Sequence, residues 1–263
     1  MKYPPPRFGF RLLRHLLGWV WIDAFPKRPN HHYVLDYYGR SSVNQADIRE
    51  IPGFGDIARL VLQENRTLLY YDRLYMLYQA LANLRSAKGD EPVCLAEVGV
   101  YRGGTSHFLA LAANSLGLQL EALFSCDTFE GHDGRDVVPD AEKSHRAGLF
   151  SDTVYEDVRD LLKPFPNVHV LKGRIQDRCD EFSDRLFHLV HLDVDLYAPT
   201  AFALDFFGAR LATGGVIIVD DYQVSTCPGT ARAIDEFLGQ RHDYFKVHPL
   251  TKQCILIKQG RPS

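Results

Sequence analysis

The chain has 263 residues, of which 46% are hydrophobic, 24% charged and 12% aromatic, with 20 Gly and 14 Pro. This composition excludes a disordered or collagen-like chain, because the first is poorer in aromatic residues and the second is far richer in Gly and Pro. The formal net charge of −3 gives no basic excess that would indicate a nucleic-acid partner. The 5 cysteines form no CxxC spacing, so they indicate neither a disulfide framework nor a zinc site and favour a reducing cytoplasm.

The first 30 residues differ from the rest of the chain. They contain six Lys and Arg residues against Asp23 alone, whereas the remainder is acidic. The apolar stretch 16–25 (LLGWVWIDAF) is too short to span a bilayer and is interrupted by Asp23. We interpret it as a helix or strand that packs on the body of the protein. The alternative is a peripheral membrane anchor, which would make a cytoplasmic protein membrane-associated.

Residues 1–88 are predicted to form an N-terminal helical cap, and residues 89–263 a separate α/β domain. Before this boundary, Leu74, Leu77, Tyr78 and Leu81 follow the i, i+3, i+4, i+7 spacing of an amphipathic helix over residues 71–84. The boundary is placed where the composition changes, near Ala87-Lys88-Gly89-Asp90.

After the boundary, short apolar runs alternate with helical patterns. The predicted strands are 93–98, 122–126, 168–171, 186–192 and 216–219, and the predicted helices are 106–116, 153–162, 200–211 and 230–238. This alternation predicts a doubly wound, Rossmann-like parallel sheet with helices on both faces. Two last strands, 244–247 and 254–258, are joined too closely for a crossover helix, so they predict an antiparallel hairpin. A seven-stranded, mostly parallel sheet with an antiparallel C-terminal strand resembles the class I methyltransferase architecture.

The turn after the first strand has the features of a cofactor cradle. Glycines there let the backbone approach a ligand, and the following helix presents free N–H groups. The pattern is neither GxGxxG nor GxxxxGK[ST], which disfavours NAD and nucleoside triphosphates. Glu97 would repel a pyrophosphate but attract a cationic nucleoside such as S-adenosylmethionine. A glycine turn without a ligand is the alternative. The candidate cofactor contacts in this segment are Glu97, Gly99, Tyr101, Arg102, Gly103 and Thr105.

Two further segments carry candidate cofactor contacts. Asp127 follows the second strand, where a carboxylate accepts hydrogen bonds from ribose hydroxyls. An Asp in this position also commonly caps a helix or forms a turn. After the third strand, the polar stretch 173–177 includes Gln176, whose side chain is suited to an adenine edge.

Carboxylates follow the fourth and fifth strands. His191, Asp193 and, where the extended backbone continues past the fourth strand, Asp195 share a face, and Asp220 and Asp221 follow the next strand. Both groups lie at the carboxyl ends of neighbouring strands, where open α/β sheets bind ligands. Their mutual repulsion requires a cation, and all-oxygen ligands indicate Mg²⁺, with Mn²⁺ or Ca²⁺ as substitutes. A solvated turn or helix cap is the alternative for the Asp220-Asp221 pair.

Taken together, these segments resemble the macrocin O-methyltransferase (TylF-type) family of sugar O-methyltransferases from natural-product pathways, which are class I S-adenosylmethionine-dependent enzymes. The resemblance covers about residues 64–240. It departs from the family at residues 132–150, which have their own sequence, and in the first 60 residues. The similar stretches are 66–74, 96–104, 127–131, 192–197, 214–222 and 233–237.

The resemblance implies S-adenosylmethionine at the 97–105 loop, with contacts that include Asp127, Thr128 and Asp193. It implies Mg²⁺ held by Asp193, Asp220 and Asp221. It also implies a homodimer, a segment 66–74 that closes over the site, and a small hydroxylated, glycosidic acceptor.

The general base is not set by the resemblance. The lysine base of the more distant catechol O-methyltransferases would fall on Leu196, so another group must accept the proton. Asp193 and Asp195 are the predicted catalytic residues, with His132 and His145 as alternatives. His191 is expected to stabilise the strand end through hydrogen bonds.

The predicted activity is therefore methyl transfer to a hydroxyl of a sugar or glycosylated natural product. One alternative keeps the cofactor but takes a small phenolic or catechol-like acceptor. The other is a catalytically silent, methyltransferase-like binding module attached through residues 1–30.

Overall fold

The computed structural model describes residues 48–142 and 144–260. Within these residues, two α-helices precede the sheet, and the remaining α-helices alternate with the strands. In chain order the elements are α1 (Gly55–Gln63), α2 (Tyr71–Lys88), β1 (Val93–Val98), α3 (Gly104–Ser115), β2 (Leu120–Asp127), α4 (Tyr155–Leu162), β3 (Val168–Lys172), α5 (Ile175–Arg178), β4 (Phe187–Leu192), α6 (Tyr197–Arg210), β5 (Leu211–Val219), α7 (Pro228–Gln240), β6 (Tyr244–Val247) and β7 (Cys254–Lys258).

The strands form a 7-stranded sheet in the order β3-β2-β1-β4-β5-β7-β6. Strands β1 to β5 pair in parallel, whereas β7 is antiparallel to both β5 and β6. The predicted Rossmann-like sheet and its antiparallel C-terminal strand are confirmed. The strand order reverses between β1 and β4, so the chain leaves a crevice at their carboxyl ends, where α/β folds bind ligands.

Strand β5 begins earlier than the sequence predicts. It starts at Leu211 and includes the expected turn Thr213-Gly214-Gly215. Gly214 has a φ of +77°, and the pairing with β4 shifts between Phe187 and Leu189. The glycines therefore form an irregularity within the strand, and Leu211, which was expected to end a helix, already has extended backbone.

Both faces of the sheet are buried. On β1, Cys94, Ala96 and Val98 pack with residues of α6 and α7, whereas Val93 and Leu95 pack with residues of α2 and α3. Because successive side chains of a strand point to opposite faces, this packing explains why β1 is a nearly continuous apolar run.

Helix α2 buries Leu74, Leu77 and Leu81, as the spacing predicts, and is followed by Gly89 with a φ of +58°. The boundary between residues 88 and 89 stays a prediction. The predicted anchor in residues 1–30 lies outside the described residues. In the described part of the chain, every helix is too short or too polar to cross a lipid bilayer.

Candidate active site

The turn after β1 is shaped by contacts with neighbouring backbone. Gly99 has a φ of +88°, and its N–H donates to the carbonyl of Cys126 (3.0 Å). A Cβ on Gly99 would lie 1.9 Å from the carbonyl oxygen of Asp193. Only glycine fits there, and its absence of a side chain brings the end of β4 against the turn.

Asp127, at the end of β2, stabilises the same turn through hydrogen bonds. Its carboxylate accepts hydrogen bonds from the N–H groups of Val100 (2.7 Å), Tyr101 (2.8 Å) and Phe129 (2.7 Å). Burial raises the pKa of Asp127, and these backbone donors oppose the rise. The carboxylate therefore orders the turn before any ligand arrives.

A cavity of about 300 Å³ opens beside this turn, at the carboxyl ends of the strands. Several chain segments far apart in sequence contribute to its wall. Its lining includes residues 66–68, Arg73, residues 98–101, Thr105, residues 126–128, 131–133 and 173–176, Asp136, Phe150, residues 193–196, Pro199, Asp221 and Lys252.

Most of the predicted site residues meet at this cavity. Those in its lining are Gly99, Tyr101, Thr105, Asp127, Thr128, Gln176, Asp193, Asp195 and Asp221. Four other predicted residues are not part of this lining: Glu97, Arg102, Gly103 and Asp220.

Glu97 is buried beneath the turn. Its carboxylate accepts a hydrogen bond from Ser106 Oγ, and its Oε1 lies 3.1 Å from Nδ1 of His191. Burial opposes the charged form of His191, but the carboxylates of Asp220 and Glu97 outweigh it and raise the pKa of His191 to about 10. Glu97 and Asp220 therefore enclose an imidazolium, in keeping with a stabilising role for His191.

Asp152 holds Arg102 and Tyr101 from the outside of the turn. The Arg102 Nε donates to the Asp152 carbonyl (3.0 Å), and the Tyr101 hydroxyl donates to the Asp152 carboxylate (3.0 Å). Arg102 is thus engaged with Asp152, while Tyr101 also lines the cavity.

Gln176 has one occupied and one free polar atom. Its Nε2 donates to Asp136 Oδ1 (2.9 Å), and Asp136 also accepts from Arg174 Nε (2.8 Å). Its Oε1 is buried, and among the described residues it has no hydrogen-bond partner. The hydrogen bond to Asp136 therefore holds the Gln176 amide group so that its oxygen, Oε1, is a free acceptor at the cavity.

The carboxylates after β4 and β5 crowd one another. Burial, Asp220 and Asp221 raise the pKa of Asp193 well above its ordinary value. Burial and then Asp221 raise the pKa of Asp195 to about 8. Asp195 and Asp221 have positive φ values of 60° and 59°, a backbone strain that is common at functional sites. Ionising all of these carboxylates would thus place more negative charge there than the protein compensates.

Arg73, at the start of α2, is a site residue that the sequence did not single out. Its Nη1 donates to Asp220 Oδ2 (2.7 Å), and its Nη2 donates to the carbonyl of Leu68 (2.6 Å). Burial raises the pKa of Asp220, but Arg73 and His191 outweigh burial and hold it below its ordinary value. Because Arg73 and Asp220 are separated by 147 positions, no local pattern could reveal the pair.

The predicted metal ligands fall into two adjoining groups. Ligand atoms of Asp193, Asp220 and His191 lie within 4.8 Å of one another, and so do those of Asp195, Asp221 and Cys227. Asp220 Oδ1 is 3.7 Å from His191 Nε2 and makes no hydrogen bond with the described residues. The carboxylates are close, but no single group unites the three predicted ligands.

The two histidines considered as bases lie beside Asp195. His132 Nε2 is 2.9 Å from His145 Nδ1 and 3.9 Å from Asp195 Oδ2. Burial and His145 lower the pKa of His132 to about 4. The His132 ring is therefore neutral near pH 7.

Sequence relatives agree with the resemblance. The chain is 29% identical over 145 residues to the 8-demethyl-8-(2,3-dimethoxy-alpha-L-rhamnosyl)-tetracenomycin-C 4'-O-methyltransferase of Streptomyces olivaceus. It is 27% identical over 157 residues to the demethyldecarbamoylnovobiocin O-methyltransferase of Streptomyces niveus. These matches cover 52% and 56% of this chain, and they span 55% and 58% of the two relatives. The chain thus spans little more than half the length of these curated relatives.

Solved structures share the fold. The O-methyltransferase NovP matches with a TM-score of 0.61 and 21% identity, over 74% of this chain and 83% of that one. The calicheamicin methyltransferase CalS11 matches with a TM-score of 0.56 and 17% identity, over 82% and 98% of the two chains. The family model for macrocin-O-methyltransferase (TylF) matches residues 63–255, from the end of α1 to the start of β7. The chain belongs to the macrocin-O-methyltransferase (TylF) family.

Proposed function

We propose that this protein transfers a methyl group from S-adenosylmethionine to a hydroxyl of a sugar or glycosylated natural product, with Mg²⁺ as a cofactor. One observation carries the proposal: a single cavity brings the turn after β1 and Gln176 together with the carboxylates of Asp193, Asp195 and Asp221. Family membership and the O-methyltransferase activities for which the two Streptomyces relatives are named support the choice of acceptor class.

The cofactor contacts are assigned to side chains and backbone in the cavity wall. Gln176 Oε1 is a free acceptor suited to the exocyclic amine of adenine, and Asp127 is placed for the ribose hydroxyls. Bound there, S-adenosylmethionine supplies a methyl group on a positively charged sulfur. Asp193 contributes negative charge next to this cation. Gly99, Tyr101, Thr105 and Thr128 complete the contacts, while Glu97, Arg102 and Gly103 support the turn from behind.

Asp193, Asp220 and Asp221 are proposed to hold the metal. Their donors are all carboxylate oxygens, which Mg²⁺ prefers, and Asp220 Oδ1 is buried without a hydrogen-bond partner among the described residues. Burial first, and then the charges of Asp220 and Asp221, raise the pKa of Asp193, and a divalent ion would favour its ionised form. Mg²⁺ bound there lowers the pKa of a coordinated hydroxyl.

Asp195 is proposed as the general base. It accepts the hydroxyl proton as the oxygen–carbon bond forms and the carbon–sulfur bond breaks with its electron pair going to sulfur. Burial and then Asp221 raise the pKa of Asp195, which makes its carboxylate a stronger proton acceptor than an unperturbed one, and a cation on the neighbouring carboxylates would keep it ionised near neutral pH. Asp193, which shares the strand end, orients the reacting groups.

A double substitution tests the metal assignment. We expect Asp220→Asn with Asp221→Asn to abolish metal-dependent turnover and to leave S-adenosylmethionine binding, measured by calorimetry, nearly unchanged. Asp205→Asn is the control, because Asp205 is exposed on α6 away from the cavity. A double variant that keeps full activity would show that the metal assignment is wrong.

An acceptor panel separates the candidate functions. Glycosides should be methylated in the presence of Mg²⁺, and simple catechols should not. Preference for catechols would favour the phenolic alternative, and cofactor binding without S-adenosylhomocysteine release on any acceptor would favour a silent binding module. The homodimer, the cytoplasmic location and membrane contact through residues 1–30 stay predictions.

A further inference from the structure

Four side chains of metal-binding type form a closed ring at the edge of the cavity. His132 Nε2 lies 2.9 Å from His145 Nδ1, and His145 Nε2 lies 3.4 Å from Cys227 Sγ. Cys227 Sγ lies 3.4 Å from Asp195 Oδ1, and Asp195 Oδ2 lies 3.9 Å from His132 Nε2. The residues come from three separate parts of the chain: the loop between β2 and α4, the end of β4 and the start of α7.

Two of these four distances, both 3.4 Å, equal an edge of a metal coordination sphere, and the other two lie on either side of that value. A tetrahedral zinc site with bonds of about 2.0–2.3 Å places neighbouring ligand atoms about 3.3–3.7 Å apart. Ligand atoms of His132, His145 and Asp195 already lie within 4.8 Å of one another. His145 faces His132 through Nδ1 and Cys227 through Nε2, so its ring must reorient to present a single nitrogen to an ion.

The chemistry of this ring differs from that of the neighbouring carboxylates. Imidazole and thiolate groups select Zn²⁺ and related transition metals, whereas Mg²⁺ prefers oxygen ligands and keeps several waters. The spacing of the cysteines in the sequence indicates no zinc site. The fold nevertheless brings Cys227 to two histidines and an aspartate.

We propose that His132, His145, Asp195 and Cys227 bind a transition-metal ion of the Zn²⁺ class, separately from the carboxylates assigned to Mg²⁺. An ion in this position ties the loop containing His132 and His145 to the end of β4 and to α7. Binding is measured without cofactor or acceptor, so failure of this inference and failure of the proposed methyl transfer can be told apart. Asp195 takes part in both, and it acts as the general base only while this ion is absent.

Cobalt provides a direct probe of the ligands. Untagged full-length protein, freed of metal with EDTA and then desalted, is titrated with Co²⁺. With excess Mg²⁺ present to compete for the carboxylates, we expect one Co²⁺ per chain, with the visible d–d bands of a tetrahedral ion and an ultraviolet thiolate-to-cobalt charge-transfer band. Equimolar Zn²⁺ should abolish both, whereas a thousandfold excess of Mg²⁺ should leave them unchanged.

Variants identify the ligands. Cys227→Ser should remove the charge-transfer band and weaken Co²⁺ binding at least tenfold, and His145→Ala should weaken binding at least tenfold while keeping the band. Cys179→Ser is the matched control, because Cys179 is also a buried thiol but lies outside the ring. Circular dichroism checks that each variant is folded, and His145→Ala tests the site even if Cys227→Ser is unstable.

Three outcomes would overturn the inference. One is wild-type protein that gives no thiolate band at saturating Co²⁺. Another is a band that survives in Cys227→Ser. The third is displacement of Co²⁺ by Mg²⁺ and Zn²⁺ at similar concentrations. Each would show that the four side chains form a hydrogen-bonded network only.

Discussion

The two halves of the cavity compensate buried charge in different ways. Beside β1, Asp127 is surrounded by three backbone N–H donors that belong to the turn itself. Beside β4 and β5, Asp220 depends on the side chains of Arg73 and His191, while Asp193 and Asp195 have strongly raised pKa values.

This difference separates a preorganised region from an adjustable one. Backbone donors cannot leave without unfolding the turn, so the cofactor half keeps its shape whether or not a ligand is bound. Side-chain cations can move, so in the carboxylate half a bound metal ion can replace Arg73 or His191 as the positive charge that balances the carboxylates. Loss of a side-chain cation from the carboxylate half should therefore be partly reversed by Mg²⁺. Loss of the hydrogen bonds that hold the turn after β1 should not be reversed by Mg²⁺.

The largest effect is expected from Arg73→Met. This change leaves Asp220 buried without its guanidinium partner, and loss of one member of a buried ion pair costs about 3–5 kcal/mol of unfolding free energy. Mg²⁺ should restore part of this loss, because the ion supplies positive charge to the same carboxylates. Urea denaturation with EDTA or with Mg²⁺ measures both effects.

Arg59→Met is the matched control for Arg73→Met. Arg59 pairs with Asp56 on α1, but both side chains are exposed (53% and 88%). Exposed pairs of this kind contribute about 0–1 kcal/mol, so stability should hardly change and Mg²⁺ should have no selective effect. Equal losses of unfolding free energy in the two variants would contradict an adjustable carboxylate half. So would a loss in Arg73→Met that Mg²⁺ does not reduce.

Asp127→Asn tests the preorganised half. The substitution keeps one acceptor oxygen but places an amide N–H₂ near a backbone donor, which should lower the unfolding free energy by about 1–3 kcal/mol. S-adenosylmethionine should bind at least tenfold more weakly in calorimetry, and Mg²⁺ should not recover the loss. Asp152→Asn is the control, because Asp152 contacts the same turn from an exposed position and should have a smaller effect.

The sheet was predictable because each strand is bounded by turn residues and followed by a helical pattern. Apolar alternation between the faces of β1 is a local property, and so is the short link that forces β6 and β7 into a hairpin. The start of β5 was not predictable in the same way. The glycines at 214 and 215 have the local signal of a turn, but the pairing of Leu211 and Val216 with β4 places this segment within the strand.

The site was predictable only where strand ends place residues together. Asp193 and Asp221 follow neighbouring strands and do meet at the cavity. The buried position of Glu97 was predictable from the alternation of side chains. Alternation puts Glu97 on the same face of β1 as Leu95, beneath Ser106 of α3. The Arg73–Asp220 pair and the ring around Cys227 join distant segments and need the folded chain.

The pH dependence of stability should also distinguish the halves. In EDTA, Asp195 with a pKa of about 8 and His191 with a pKa of about 10 bind more protons when folded than when unfolded. Stability therefore falls as pH rises, from above pH 4 through 8 for Asp195 and from above pH 6.5 through 10 for His191. Melting temperatures at pH 6 and pH 9 measure this fall.

Two comparisons make that measurement specific. Mg²⁺ should raise the melting temperature more at pH 9 than at pH 6, because ionised carboxylates bind it. Asp195→Asn should flatten the profile around pH 8. A stabilisation by Mg²⁺ that is equal at both pH values would argue against binding by the carboxylate group.

The smallest effect concerns the free acceptor of Gln176. If Gln176 Oε1 receives the exocyclic amine of adenine, the site should favour S-adenosylhomocysteine over its inosine analogue, which carries an oxygen acceptor at that position, by about tenfold in Kd. Gln176→Met removes the acceptor at similar volume and should abolish this preference, mainly by weakening the adenosine ligand. Gln119→Met, at an exposed position, should retain it. The prediction concerns the ratio of two Kd values in each variant. A general loosening of the cavity would weaken the binding of both ligands without changing this ratio. An unchanged preference in Gln176→Met would place adenine elsewhere in the cavity.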